Sequence, residues 1–273
     1  MPELPEVETV RKTLKRKVLN KTIKSVSVFW DSIIAYPNIS EFKTEIENQT
    51  INDIKRLGKW LIFCLDDYYL LSHLRMEGKY FLRDGSDEKK KHEHVIFHFT
   101  DNTDLRYQDT RKFGKMHLIK KEDFDNYVVI KELGYEPWDE KLDYNYLKDK
   151  YKKKNLPIKT VILDQSIITG IGNIYADEIL FLSGINPKIK AKDLKKKDLE
   201  NIIINTRITL EKAISEGGTT IRSYTSDEGI TGRFQNNLYV HRREKEKCLT
   251  CGEEIIKIKV GGRGTYYCPK CQK

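Results

Sequence analysis

The sequence predicts an α+β chain: a strand-rich first half folded as a sandwich or barrel, a helical second half, and a metal-stapled β-hairpin at the end. Three observations lead there. Apolar residues recur with period two in short runs between Thr22 and Lys120, separated by turns rich in Gly, Asn and Asp. After Leu133-Gly134-Tyr135-Glu136-Pro137-Trp138, where Gly and Pro break both periods, the pattern becomes helical. Four of the five cysteines stand as Cys248-x2-Cys251-x16-Cys268-x2-Cys271.

The elements follow in order. Val7, Val10, Leu14 and Val18 recur at three- and four-residue spacing, so residues 5 to about 18 read as an amphipathic helix with Arg11, Lys12, Lys15 and Arg16 on its polar face. Val26, Val28 and Trp30 then alternate, and strand-like runs follow around 59–65, 68–74, 94–100, 104–108 and 115–120. Lys89-Lys90-Lys91 is expected to cap a solvated hairpin. Cys64, alone in an apolar run, is expected to be a buried, inert thiol. Beyond the 133–138 break, Tyr144–Lys152 is periodic and charged, and Ile158–Ile168 is apolar. The turn Thr169–Asn173 opens a helix from Ile174 to Ser183, with Gly184 as its cap and Pro187 forbidding continuation. A last long helix spans about Asp198–Ser215, and a polar loop follows to about Gln235. The expected division is 1–134, an entry segment 135–155, a helical domain 156–240 with a loop at about 217–235, and a finger 241–273.

Lysine and arginine number 50 against 41 acids, a net charge of +9 over 273 residues, which favours a polyanionic partner. The basic residues are spread along the chain, so no concentrated basic amphipathic helix argues for a membrane surface. No run approaches the length of a membrane span and nothing at the start resembles a signal peptide, so a cytoplasmic protein is expected.

Two Cys-x-x-Cys knuckles offer four sulfurs to one tetrahedral ion, so one zinc is expected. Four thiolates leave no open coordination position, which makes that zinc structural. Ile255–Val260 and Thr265–Tyr267 form the arms of a hairpin around Gly261-Gly262-Arg263-Gly264, placing Arg263 at the tip as a natural phosphate contact. At Gly170-Ile171-Gly172-Asn173 the glycines allow close backbone approach and the helix start offers free N–H groups to an anion. A plain turn between helices reads equally well there.

At the other end, Met1-Pro2-Glu3-Leu4-Pro5-Glu6 reads by itself as an ordinary acidic helix start. Removal of Met1, which a small second residue favours, leaves Pro2 as a terminal secondary amine. An α-amino group has a pKa of roughly 7.7–8.0, so a useful fraction is uncharged near neutrality, and such an amine is a nucleophile. Lys59 follows a glycine turn. Met76 stands in an expected loop after His73, and Phe113 stands among cations in Asp109-Thr110-Arg111-Lys112-Phe113-Gly114. Met and Phe are residues that wedge a DNA stack, and His, Lys and Arg are residues that hold its backbone.

Pro-Glu-Leu-Pro-Glu-Val-Glu-Thr at the start, Gly-Ile-Gly-Asn-Ile-Tyr-Ala-Asp-Glu at 170–178 and the terminal four-cysteine finger together closely resemble the formamidopyrimidine-DNA glycosylase (Fpg) family. The resemblance spans essentially the whole chain. Endonuclease VIII relatives typically begin Pro-Glu-Gly-Pro-Glu, so Leu4 favours the Fpg branch.

The resemblance implies an N-terminal β-sandwich with flanking helices, a C-terminal helix–two-turns–helix domain and a zinc finger, with damaged duplex DNA between the domains and a monomeric enzyme. It implies removal of oxidised purines followed by β,δ-elimination. Pro2 would be the Schiff-base nucleophile, Glu3 the general acid, Glu6 its support, and Lys59 the base serving release and elimination. His73, His92, Arg111, Lys154, Asn173 and Arg263 match phosphate-contacting or orienting positions, and Tyr175 joins the DNA-binding set. Met76, Arg111 and Phe113 match the triplet that fills the gap left by a flipped nucleotide, and Arg222 lies in the segment resembling the loop over the damaged base. Lys112 stands where arginine is common, keeping the charge but losing the planar fork. The alternatives are an endonuclease VIII-like enzyme for oxidised pyrimidines and a non-catalytic zinc-finger DNA-binding protein.

Overall fold

A computed structural model describes residues 1–219 and 232–273 and divides the chain at Lys131/Glu132 into two compact units. Among the described residues no helix is long and apolar enough to cross a membrane.

The first unit opens with helix α1 (Leu4–Val18), whose stripe Val7, Val10, Leu14 and Val18 is buried as the spacing requires, with Lys15, Arg16 and Lys17 favourably placed in its last turn. There follow β1 (Ile23–Val28), β2 (Ile34–Tyr36), α2 (Ile39–Ile46), β3 (Asp53–Leu57), β4 (Trp60–Cys64), β5 (Tyr68–His73), β6 (Lys79–Asp84), β7 (Glu93–Phe99), β8 (Thr103–Gln108), β9 (Lys115–Lys120) and a single turn, α3 (Val128–Lys131). The strands form two sheets, one in the order β1-β7-β8-β6 and one in the order β2-β9-β5-β4-β3. Phe97, Phe99 and Leu105 of the first share one core with Leu61, Phe63 and Leu118 of the second, and α1 and α2 add Val10 and Phe42. That is a β-sandwich with flanking helices.

The strands β2, β3 and β6 and the helix α2 have no counterpart in the sequence pattern. β2, β3 and β6 all end a sheet, where one face meets solvent and charge is tolerated: β3 reads Asp-Ile-Lys-Arg-Leu, with only Ile54 fully buried. Helix α2 is short and owes its start to Asn38, whose side chain accepts the Glu41 N–H at 3.0 Å. The lysine block 89–91 does not cap a hairpin. Both β6 and β7 pair with β8 and not with each other, and the connection between them is tied down by buried Arg106, which donates to the Asp87 and Glu88 carbonyls at 2.7 and 3.0 Å.

The second unit carries α4 (Tyr144–Tyr151), α5 (Ile158–Val161), α6 (Asn173–Leu182), α7 (Lys196–Ser215) and the hairpin β10 (Ile256–Val260) and β11 (Arg263–Tyr267). Residues 134–135, which read as a break, are packed into this unit: Gly134 N–H donates to the Gln165 carbonyl at 2.9 Å and Tyr135 bridges Ile168. The hairpin turn is Gly261-Gly262, both at positive φ, which is the two-residue turn that matches strand twist. Arg263 therefore sits one step further along than expected, as the first residue of β11, paired with Val260 and exposed.

Candidate active site and nucleic-acid interface

In the first unit, Pro2, Glu3 and Glu6 are buried at the amino end of α1, with Glu3 3% and Glu6 2% exposed. Glu6 accepts the Glu3 backbone N–H at 2.8 Å, closing a capping box in which each residue serves the other's backbone. An acidic helix start needs no burial, and two carboxylates removed from water are costly unless held this way. Helix α1 is laced to the β3–β4 hairpin by Glu8, which meets Arg11 at 2.7 Å and Arg56 at 3.2 Å. Arg56 in turn donates to the Gly58 carbonyl at 3.0 Å. Lys59 follows in that two-residue turn and is itself buried.

His73 closes β5. Its ring stands edge-on to Trp60 and its Nδ1 accepts the Arg75 N–H at 3.0 Å. Burial, helped by the Arg75 and Lys59 charges, lowers its pKa to about 3, so the ring is neutral near physiological pH. Met76 and Phe113 are 38% and 48% exposed, unusual for residues so large and apolar, and the Arg111 guanidinium lies 4.7 Å from the Phe113 ring centre. His92 is half-buried, at positive φ.

In the second unit, Asn173 starts α6, and its side-chain amide donates to the Gly264 carbonyl at 2.9 Å, tying the hairpin to the helix; its own buried Oδ1 has no hydrogen-bond partner among the described residues. Lys154 is half-exposed, 3.4 Å from Asp164. Tyr175, expected among the DNA contacts, is fully buried, with its ring centre 5.5 Å from that of Phe234. Arg222 lies outside the described residues.

The four cysteine sulfurs lie within 4.8 Å of one another, with Cys248–Cys271 at 3.9 Å and Cys251–Cys268 at 3.4 Å. Zinc–sulfur bonds of about 2.3 Å in a tetrahedron put sulfurs about 3.8 Å apart, so the donor set fits one structural Zn2+. The thiols are not paired as disulfides.

The sequence did not single out several buried polar residues around these positions. Lys159, fully buried, donates to the Asn173 carbonyl at 2.9 Å and to Asp177 at 2.6 Å, and Asp177 meets His241 Nδ1 at 2.7 Å. Glu178 accepts the backbone N–H groups of Tyr239, Val240 and His241 at 2.7, 3.0 and 2.9 Å. Their types gave no signal, because Lys, Asp and Glu at ordinary helical spacing read as a solvated face.

A sandwich that buries an acid pair beside a proline, followed in the chain by a helical unit closed with a four-thiolate hairpin, defines a zinc-containing enzyme that acts on DNA. Comparison with known proteins narrows the class. The Formamidopyrimidine-DNA glycosylase N-terminal domain matches residues 1–116, the Formamidopyrimidine-DNA glycosylase H2TH domain residues 133–225, and the zinc finger found in FPG and IleRS residues 245–273. The chain is 48% identical over 273 residues to the formamidopyrimidine-DNA glycosylase of Oceanobacillus iheyensis, covering all of this chain and 98% of that one. It is likewise 48% identical to that of Bacillus subtilis, covering 100% and 99%. Among solved structures, the complex of Lactococcus lactis Fpg with DNA containing an abasic site aligns at TM-score 0.93 and 40% identity over 99% of both chains. A complex of the wild-type Lactococcus lactis protein with N7-benzyl-Fapy-dG DNA gives the same TM-score and identity over the full length of both. The chain belongs to the formamidopyrimidine-DNA glycosylase family.

Proposed function

We propose that this chain excises oxidised purines, 8-oxoguanine and formamidopyrimidines, from duplex DNA through a covalent Pro2 adduct and then nicks the strand. The membership is that of a bifunctional glycosylase and AP lyase of base-excision repair, and relatives have been crystallised on Fapy-dG and abasic DNA. The observation that carries the assignment of residues is the burial of Glu3 and Glu6 beside Pro2.

A base inside a duplex is out of reach, so the nucleotide is swung out at a cost of a few kcal/mol. Met76, Arg111 and Phe113 would refill the stack. With Met1 removed, the Pro2 nitrogen attacks the anomeric carbon while Glu3 protonates the sugar oxygen, opening the ring and releasing the base. Glu6, on the Glu3 backbone, holds that acid in place. A secondary amine forms an iminium with no N–H proton to lose. It stays cationic and draws electrons from the sugar, so the 3′ and then the 5′ phosphate leave by β,δ-elimination. Lys59 serves the proton transfers, and Arg263 would hold the departing phosphate. His73, His92, Lys154 and Asn173 supply backbone contacts in this reading. The four unpaired thiols suit the reducing cytoplasm, and zinc cross-links the hairpin that presents Arg263.

Borohydride should trap the enzyme on abasic and 8-oxoguanine duplexes, and Pro2→Gly should weaken or abolish trapping. Undiminished trapping in that variant, or an intact mass that retains Met1 in fully active protein, would refute the assignment. Incision of 8-oxoguanine, thymine glycol and undamaged duplexes side by side separates the reading from an endonuclease VIII-like preference.

A further inference from the structure

The two loops that carry the proposed wedge have the same topology. Leu74–Gly78 leaves β5 in the five-stranded sheet and enters β6 in the four-stranded one; residues 109–114 leave β8 and return to β9. Their ends pair within each sheet, His73 with Lys115 in the five-stranded one and Lys79 with Gln108 in the four-stranded one, so the loops run side by side.

Beneath both lies one pair of side chains. Tyr107 is fully buried, and its hydroxyl is so close to the two loop glycines that a Cβ on Gly114 would fall 1.7 Å from it and a Cβ on Gly78 2.3 Å. Asp109, also fully buried, spends its carboxylate on the second loop. Oδ1 accepts the Arg111 N–H at 3.0 Å, and Oδ2 accepts the Gly114 N–H at 2.8 Å and faces the Tyr107 hydroxyl at 3.4 Å. The Asp109 carbonyl accepts the Lys112 N–H at 3.2 Å and lies 3.1 Å from His94 Nε2. A carboxylate withdrawn from water and aimed at loop N–H groups is an expensive way to make a turn that needed only to be solvated.

We propose that Tyr107 and Asp109 are positioning residues that set the Met76 loop and the Arg111–Phe113 loop as one rigid unit, so that the wedge enters the base stack preformed. This rests on the reading of Met76, Arg111 and Phe113 as the gap-filling triplet. A wedge that must order itself during insertion spends binding energy on ordering its own loops, and that cost falls on the step that everts the nucleotide. An abasic site has no base to extrude, so its cleavage depends less on the wedge.

The test is single-turnover kinetics of the full-length zinc-loaded protein on matched 8-oxoguanine and abasic duplexes, reading the ratio of base excision to abasic cleavage. Asp109→Asn, which replaces one acceptor oxygen with a donor, should lower that ratio about tenfold, and Tyr107→Phe should lower it several-fold, the scale of one hydrogen bond to a charged group. 2-Aminopurine beside the lesion should report slower unstacking in both. Phe113→Ala is the reference. If it lowers the ratio while Asp109→Asn and Tyr107→Phe leave it unchanged, the anchor is refuted and the wedge stands. If Phe113→Ala leaves the ratio unchanged, the wedge reading itself fails. An equal loss on both substrates in the anchor variants means a fold role alone and also refutes the proposal; Tyr107→Phe, which keeps the ring, decides the matter if Asp109→Asn does not fold.

Discussion

The first unit and the finger hold exposed side chains in place by opposite means. Around Met76 and Phe113 the support is a continuous core, with the buried carboxylate of Asp109 accepting the Arg111 and Gly114 N–H groups of the loop. Around Arg263 the apolar support is a small cluster, Phe181, Val240, Cys248, Ile255 and Cys268, two of which are zinc ligands. So few residues bury too little surface to offset the entropy of ordering a hairpin, and the metal supplies what the core lacks. The same task is met by packing where the core is large and by cross-linking where it is not.

The largest effect should come from the metal. Structural zinc contributes on the order of 10 kcal/mol to small sites, so chelation or Cys268→Ser should unfold the hairpin. DNA affinity should then fall by at least about tenfold as phosphate contacts are lost. The sandwich should keep its own melting transition; a single transition lost with zinc would break the contrast. Next comes the part of the second unit that does not use metal. Glu178→Gln cannot satisfy the three backbone N–H groups as a carboxylate does and should cost about 2–4 kcal/mol in urea unfolding with zinc content unchanged.

In the first unit, Gly114→Ala forces a methyl against Tyr107 and should cost about 1–3 kcal/mol, without any dependence on zinc. Acid should act on the same unit through His73. Its folded pKa, about 3, lies below its unfolded value of 6.5, so the unfolded chain binds the extra proton between them. Stability is full above pH 6.5 and falls by roughly 1.4 kcal/mol per pH unit below it, until pH nears 3. His117, lowered to about 4, acts in the same direction but is partly exposed and weaker. Unfolding curves for the sandwich between pH 7 and 5 that do not shift would exclude a buried neutral His73. The smallest effect belongs to Lys196→Ala, whose partner Glu200 is 3.7 Å away on the exposed face of α7: below about 0.5 kcal/mol by thermal melting.

Much of the molecule was legible from local pattern. The α1 stripe, the β4, β5, β7, β8 and β9 runs, the start of α6 and the two cysteine knuckles all depend on spacing within a few residues, and the structure reproduces them within about two residues. The edge strands β3 and β6 were hidden because charged residues interrupt their apolar alternation, and β2 because it is only three residues long. Lys159, Asp177 and Asp109 were hidden for a different reason. As letters they are common surface residues, and nothing local reveals that each is buried.

The sequence by itself determined the kinds of chemistry available: a second-position proline, an amine once Met1 is removed, with two nearby carboxylates, four thiolates for one ion, and a basic chain for a polyanion. These follow from residue type and short-range spacing. Only the tertiary structure decided which carboxylates leave water, that Tyr175 is fully buried, and that the Met76 and Phe113 loops lie over one tyrosine. The physical reason is that desolvation and close contact are set by residues distant in the chain. Glu3 and Asp109 acquire their environments from sheets and helices that their own neighbours in sequence do not specify.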